Sequence, residues 1–202
     1  IRTFENWFEN DFPAMLERGF DPDELRLQWD NIVLEQNQKI SAYASSQGTR
    51  MGTTITTILI IGGQYYIMNV GDSRAYMLTD QLYLLTKDQT VVQYQLDMGM
   101  ITLEEALVHP QRNVLLQCVG ASEVVTPDFY SAPVVPDTMF VLCSDGFRHV
   151  ITPEEIYDNL NPGLLADEQR MKENAVWLTE LYKQRQEVDN ISVVLIRTCQ
   201  GG

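Results

Sequence analysis

The chain has 202 residues, a length that suits one domain with its own hydrophobic core. Its 28 acidic residues outnumber its 14 lysines and arginines, so the formal net charge at pH 7 is −14. This excess of negative charge argues against binding to nucleic acid or to an anionic membrane, because both need a cationic face.

The three cysteines, Cys118, Cys143 and Cys199, lie far apart, and none belongs to a Cys-x-x-Cys pair. They therefore indicate neither a disulfide framework nor a zinc site. The sequence shows no signal peptide and no apolar run long enough to span a bilayer, and we expect a cytoplasmic location. The chain begins at Ile1 without a methionine, and we interpret it as a piece of a longer protein.

The first part of the chain reads as two helices that pack on a core. Apolar spacing predicts a helix over residues 1–16, with a break or a fresh start at Pro13. A second helix starts with Asp21 as its N-cap and Pro22 at its first position, and runs to about residue 45.

From Gly52 onward the pattern changes to strands. Gly62-Gly63 is a hairpin signal between two strands, and we expect the second strand to be interrupted by residues 71–74 and then to continue. The predicted strands of this antiparallel meander cover residues 53–61, 64–70, 75–78 and 82–85.

Residues 88–120 form a long, irregular insert that contains two helical pieces. The second piece has Thr102 as its N-cap and Glu105 three residues later, which is the pattern of a capping box. A long insert between strands usually contributes to function. Beyond it we predict strands over 124–131, 138–143 and 191–196, a helix that starts at Thr152, and a helix over 164–183.

The central stretch runs from Met139 to Phe147. Residues 139–143 are an unbroken apolar run, the pattern of a strand buried on both faces, and Asp145-Gly146 follows directly. A buried strand that ends in a carboxylate can present a metal ligand from a rigid scaffold. Alternatively, Asp145 caps the next turn or helix.

Asp72 and Asp189 occupy comparable places next to strands. Neighbouring strand ends in a sheet lie about 5 Å apart, so the three carboxylates can converge. Converged carboxylates need cations between them, and oxygen ligands favour Mg²⁺ or Mn²⁺. The alternative is that Asp72, Asp145 and Asp189 are three separate turn or cap residues.

Other polar residues give weaker signals. We interpret His109 as a hydrogen-bonding loop residue, whereas His149 either reaches the site of Asp145 or lies on the surface. Arg74 either binds an anion or pairs with Asp72, and we favour the pairing.

A series of short motifs follows one another at characteristic intervals: Met51-Gly52-Thr53-Thr54, Val70-Gly71-Asp72-Ser73-Arg74-Ala75-Tyr76, Leu85-Thr86-Lys87-Asp88, His109-Pro110-Gln111-Arg112-Asn113, Leu142-Cys143-Ser144-Asp145-Gly146-Phe147 and Asp189-Asn190-Ile191-Ser192-Val193-Val194. Together they resemble the metal-dependent protein phosphatases (the PPM, or type 2C, family) in their bacterial branch. The resemblance covers the chain from about Ile32 to Thr198.

This resemblance implies an α+β fold, a four-layer α-β-β-α sandwich of two antiparallel sheets flanked by helices, with residues 1–202 as a single domain. It implies a signalling hydrolase that dephosphorylates phosphoserine and phosphothreonine in proteins, with a cognate serine/threonine kinase and its substrates as partners. In that family two Mn²⁺ or Mg²⁺ ions activate the water that attacks phosphorus.

Carried over by position, Asp145 and Asp189 resemble catalytic ligands of the two ions. Asp72 resembles a ligand of a third, weaker ion that Asp145 also touches. The insert resembles a flap beside the active site, which places His109, Arg112 and Asn113 near the substrate.

The chain also departs from the family pattern. The family's first strands, which carry a phosphate-binding arginine and an Asp-Gly that bridges both ions, have no counterpart before Gly52. At position 149 the family often has an acidic residue, where this chain has His149. We therefore expect an N-terminally truncated and inactive piece of an active parent, with exposed sheet edges that invite dimer formation.

Two rival functions stay open at this point. The first is a catalytically dead pseudophosphatase that binds phosphoproteins or partners without hydrolysis. The second is a phosphatase that acts on one dedicated partner.

Overall fold

The computed structural model describes residues 1–165, 167–186 and 188–199. The helices are α1 (Arg2–Asn6), α2 (Phe12–Arg18), α3 (Pro22–Ser46), α4 (Val91–Asp97), α5 (Leu103–Leu107), α6 (Asp145–Val150), α7 (Pro153–Leu160) and α8 (Glu168–Gln184). The strands are β1 (Ile55–Ile61), β2 (Gln64–Val70), β3 (Arg74–Leu78), β4 (Leu82–Leu84), β5 (Asp128–Pro133), β6 (Met139–Cys143) and β7 (Val193–Arg197).

The N-terminal part of the chain is helical, and α3 starts with the predicted capping residue. A π-helical segment, Trp7–Asp11, joins α1 to α2, and Pro13 lies in the first turn of α2, where its missing N–H costs little. The carboxylate of Asp21 accepts a hydrogen bond of 2.9 Å from the backbone N–H of Asp23 at the start of α3. The predicted start of α3 is confirmed. Near Pro13 the chain does not break, because Asp11 and Phe12 keep right-handed helical angles and the π-helical segment leads directly into α2.

The strands form two antiparallel sheets, with the orders β1-β2-β5 and β4-β3-β6-β7. The prediction of one meander is therefore wrong at one point, because β2 and β3 lie in different sheets. The chain crosses between the sheets at Gly71, whose φ is +103° and whose absent Cβ would lie 2.4 Å from Thr54 Cγ2. The close approach of Thr54 and the left-handed backbone both require glycine here.

Alternation of side chains along each strand divides the core into three layers. In β2, Ile67 faces the space between the sheets, whereas Met68 and Val70 face the N-terminal helices. In β6, Phe140 faces the space between the sheets, and Val141 faces the C-terminal helices. Every one of these side chains is fully buried.

The outer cores attach the helices to the two sheets. Trp29 of α3 packs in the core of the first sheet, with Met15 of α2 beside it, and Leu178 of α8 packs in the core of the second sheet. Helices, sheet, sheet and helices therefore form four layers, and the predicted α-β-β-α architecture is confirmed. The first strand of the described residues begins at Ile55.

Some predicted boundaries were wrong by several residues. Strand β5 begins at Asp128 rather than at 124, and α8 begins at Glu168, after the N-cap Asp167, rather than at 164. The short helix α6 was predicted only as one alternative, because its six residues include Gly146 and give little helical pattern. Among the described helices, none has both the length and the apolar character that a membrane span needs.

Candidate active site

The site lies where β6 and β7 end side by side. Cys143 pairs with Val193 in the sheet, and beyond that pair Ser144 N–H donates to the carbonyl of Ser192 at 3.1 Å. The N–H of Ser192 in turn donates to Ser144 Oγ at 3.0 Å. These bonds tie the residues before β7 to the start of α6, so that Asp189 comes close to Asp145.

Gly146 permits this close approach. A Cβ at position 146 would lie 2.6 Å from the carbonyl oxygen of Asn190 and 3.2 Å from Cβ of Asp189. Only a residue without a side chain fits between the two segments. The N–H of Gly146 also donates to Asp145 Oδ1 at 2.8 Å, which orients that carboxylate.

Asp145, His149 and Asp189 form a cluster of potential metal ligands. One ligand atom from each side chain lies within 4.8 Å of the other two. Asp145 and His149 are one turn apart on α6, with 3.9 Å between Oδ2 and Nε2. Separations of this size fit a shared ion, and the two carboxylates favour Mg²⁺ or Mn²⁺. The imidazole favours Mn²⁺ of these two, because nitrogen donors suit transition-metal ions.

Asp189 is exposed, but a hydrogen bond from α8 holds its backbone in place. The phenolic hydroxyl of Tyr182, a buried residue of α8, donates a hydrogen bond to the carbonyl oxygen of Asp189. The N–H of Asn190 donates to Asp189 Oδ1 at 2.7 Å. Helix α8 thus helps to hold the loop that carries this carboxylate.

Asp72 is the buried carboxylate of the predicted set, in the crossover between β2 and β3. Burial, and next the charge of Asp145, raise its pKa above the ordinary value, whereas Arg148 acts in the opposite direction. Arg148 Nη2 lies 3.2 Å from the carbonyl oxygen of Asp72 and 3.4 Å from Oδ2. The charge of Asp145 therefore acts on Asp72, but the direct partner of Asp72 is an arginine.

Arg74 pairs with Asp88, so the predicted pairing of Arg74 with Asp72 is wrong. Nε and Nη2 of Arg74 donate to the two oxygens of Asp88 at 2.8 and 2.9 Å, a bidentate arrangement. Arg148 Nη2 contacts Asp88 Oδ2 at 3.1 Å. The partner of Arg74 thus lies 14 residues away in the sequence, at the start of the insert, whereas the carboxylate of Asp72 meets Arg148.

Asp88 and Arg148 were not among the predicted site residues. Asp88 ends one of the family motifs, which was a usable signal. Arg148 follows Asp145 by three residues, and on a helix this spacing places both side chains on one face. That signal required α6 to be recognised as a helix.

A cavity of about 640 Å³ separates the insert from α6. Arg112 and Asn113 line it from the insert side, and Arg148 and His149 line it from the side of α6. His109 instead interacts within its own loop, where Nδ1 accepts a hydrogen bond of 3.1 Å from the N–H of Gln111. The structure thus places two of the three predicted flap residues at the cavity.

Cys143 plays no part in the site. It is buried at the end of β6, and burial raises the pKa of its thiol to about 12. Cys143 is therefore a small core residue and not a nucleophile.

Comparison with known proteins gives one consistent family. The family model described as "Protein phosphatase 2C" matches residues 5–94. The chain is 32% identical over 178 residues to "Serine/threonine phosphatase stp" of Listeria innocua, covering 86% of this chain and 68% of the relative. It is 37% identical over 175 residues to "Serine/threonine protein phosphatase PstP" of Mycobacterium tuberculosis, covering 85% of this chain and 33% of the relative.

Solved structures agree with the fold. The S. agalactiae serine/threonine phosphatase superposes with a TM-score of 0.79 at 28% identity, covering 89% of this chain and 73% of that structure. The catalytic domain of PstP in complex with two manganese ions superposes with a TM-score of 0.71 at 30% identity, covering 92% of this chain and 76% of that structure.

Proposed function

Because the chain belongs to the protein phosphatase 2C family, we propose that the intact protein hydrolyses phosphoserine and phosphothreonine in proteins with Mn²⁺ or Mg²⁺ ions. The observation that carries the proposal is the convergence of Asp145, His149 and Asp189, whose ligand atoms lie within 4.8 Å of one another. A cluster in which two of three members are carboxylates repels a phosphate ester unless cations neutralise it.

Asp145 and Asp189 are the proposed catalytic ligands, and His149 adds a nitrogen donor. When bound, a pair of divalent ions lowers the pKa of a water nucleophile and neutralises charge on the phosphate. Asp145 sits at the first position of α6, and the N–H of Gly146 fixes its carboxylate. Asp189 reaches the same place from the segment before β7, held by Tyr182.

The cavity is the proposed place for the phosphorylated segment of a substrate. Arg112 contributes positive charge to its wall on the side of the insert, on a chain whose net charge is −14. Local positive charge attracts a phosphate that the protein as a whole would repel. Asn113 adds an amide that can hydrogen-bond to a substrate.

The partners and context remain predictions that follow from this function. They comprise phosphoproteins, a cognate serine/threonine kinase, a cytoplasmic location and a dimer formed through sheet edges. Within residues 1–165, 167–186 and 188–199, strand β1 lies at the edge of its sheet and pairs with β2, which leaves its other edge for the predicted pairing. The expected truncation and inactivity of the 202-residue piece likewise stay predictions.

Asp145→Asn in the intact protein tests the function directly. We expect Mn²⁺-dependent hydrolysis of p-nitrophenyl phosphate and of a phosphothreonine peptide to fall by on the order of 100-fold or more, because loss of even a supporting residue of a metal site costs 10–100-fold. Asp137→Asn is the matched control, since Asp137 is exposed, lies in a turn and adopts a positive φ that asparagine tolerates.

The outcomes separate the rival functions. Unchanged turnover in Asp145→Asn would remove Asp145 from the catalytic site. Absence of Mn²⁺- or Mg²⁺-dependent hydrolysis in the unaltered intact protein, with phosphopeptide binding retained, would establish the pseudophosphatase.

A further inference from the structure

The third ion that the family resemblance implies at Asp72 does not fit the residues around this carboxylate. Nη2 of Arg148 lies 3.4 Å from Asp72 Oδ2 and 3.2 Å from its carbonyl oxygen. The side chains of Arg148 and Asp72 are 16% and 9% exposed, so little water screens this contact. The positively charged guanidinium of Arg148 therefore already lies next to Asp72.

Arg148 is held in this position from a second direction. Its Nη2 also contacts Asp88 Oδ2 at 3.1 Å, and Arg74 donates hydrogen bonds to both oxygens of Asp88. Asp72 and Asp88 carry two negative charges, and Arg74 and Arg148 carry two positive charges. The charges of these four side chains sum to zero.

A divalent ion at Asp72 would disturb that balance. At the usual bond length of ~2.1 Å from Asp72 Oδ2, the ion would lie at most ~5.5 Å from Arg148 Nη2, given the contact of 3.4 Å. Like charges at this distance, in a place with little solvent, repel strongly. The neighbouring position 149 offers an imidazole rather than a further carboxylate, so this position adds no negative charge that would offset the repulsion.

We propose that Arg148 is a built-in cation that replaces the third metal ion at Asp72. It acts as a positioning residue, because it ties α6, which carries Asp145 and His149, to the β2–β3 crossover. The proposal rests on the proposed function only for the ions at Asp145 and Asp189. The proposal itself concerns the partner of Asp72, and the hydrolysis assay does not test it.

Mn²⁺ stoichiometry tests the replacement. In equilibrium titrations of the intact protein followed by electron paramagnetic resonance of free Mn²⁺, we expect Arg148→Met to bind one ion more than the unaltered protein. Methionine keeps much of the length of the side chain but removes the charge that excludes the ion. Arg148→Lys is the matched control and should bind the same number of ions as the unaltered protein, because it keeps the charge.

A second substitution identifies where the additional ion binds. Asp72→Asn should leave the number of ions unchanged in the unaltered background and should abolish the additional ion in Arg148→Met. An Arg148→Met variant that gains no ion would overturn the proposal, whatever the hydrolysis assay shows. A loss of one ion on Asp72→Asn in the unaltered background would overturn it as well.

Crystals of the unaltered intact protein soaked in Mn²⁺ provide a test that does not depend on the folding of any variant. We expect the anomalous difference map to show no manganese peak within bonding distance of the Asp72 carboxylate. A peak there would overturn the proposal. Peaks at Asp145 and Asp189 report on the proposed function and are scored separately.

Discussion

Gly146 determines how closely the two halves of the proposed active site approach each other. Its Cα lies so near the segment before β7 that a Cβ would be 2.6 Å from a backbone oxygen, a distance that real Cβ atoms essentially never show. Because the obstructing atom is backbone rather than a flexible side chain, the strand end and the loop would have to separate. The residue that carries no chemistry of its own thus sets the distance between Asp145 and Asp189.

Gly146→Ala should therefore weaken both activity and stability. We expect the forced separation to destabilise the fold by about 1–3 kcal/mol, the usual cost of overpacking, and to reduce Mn²⁺-dependent turnover because the ligand atoms move apart. Urea unfolding and phosphatase assays measure the two effects. Gly163→Ala is the control, since its Cβ would meet only a side-chain oxygen at 3.3 Å. If Gly146→Ala turned over substrate as fast as the wild type, position 146 would not set the distance between Asp145 and Asp189.

At the scale of elements, Glu155 connects the start of α7 with the end of α8. Its backbone N–H and carboxylate complete a capping box with Thr152, at 3.2 and 2.9 Å. Arg185, the C-cap residue of α8, donates to Oε2 of the same carboxylate at 2.7 Å. Hydrogen bonds from Arg185, and next from Thr152, lower the pKa of Glu155 to about 2.

Glu155→Gln tests this link through its pH dependence. The folded-state pKa lies below the ordinary value of 4.5, so the ionised carboxylate stabilises the fold above about pH 4.5, and this contribution is lost as the pH falls towards 2. Because the pair is partly exposed, we expect a difference at pH 7 of no more than about 1 kcal/mol. Chemical unfolding of both proteins at several pH values measures it.

The control for this link is Glu154→Gln, which changes a neighbouring exposed acid in the same first turn. Its effect on the free energy of unfolding should vary less with pH. If the difference between the wild type and Glu155→Gln is the same at pH 3 as at pH 7, then the ionised carboxylate does not stabilise the contact between α7 and α8.

At the scale of the whole molecule, four layers support a site at one end of the two sheets while the surface carries a large negative charge. The three cores fix the strands, and the strand ends carry the carboxylates to one place. The net charge of −14 destabilises the compact state through self-repulsion. The folded chain therefore holds Asp145 and Asp189 close together although the negative charge of the surface repels them.

We expect sodium chloride to raise the melting temperature of the metal-free protein. Screening shortens the Debye length to a few ångströms near 1 M salt and so reduces the repulsion between surface carboxylates. A gain of ~1 kcal/mol corresponds to a rise of about 2–4 °C for a chain of this size. Differential scanning calorimetry between 20 and 500 mM salt measures the change. A flat or falling melting temperature in salt would contradict the role assigned to surface repulsion.

The sequence by itself determined the features that depend on neighbouring residues. The caps at Asp21, Thr102 and Thr152 were all predicted, since a side chain within three residues satisfies the exposed N–H groups of each helix start. The buried strand Met139–Cys143 was predicted because its unbroken apolar run cannot face water. The acidic positions of the site followed from their place beside strands and from the family motifs.

Only the tertiary structure decided which distant groups meet. The sheet in which β3 lies, the pairing of Arg74 with Asp88 and the contact of Arg148 with Asp72 each join residues whose proximity depends on the packing of whole layers. Local pattern favoured Asp72 as the partner of Arg74 because it is near in sequence. Distance in space is set by the sheets and not by the number of intervening residues, and this packing places both carboxylate oxygens of Asp88 within hydrogen-bonding distance of Arg74.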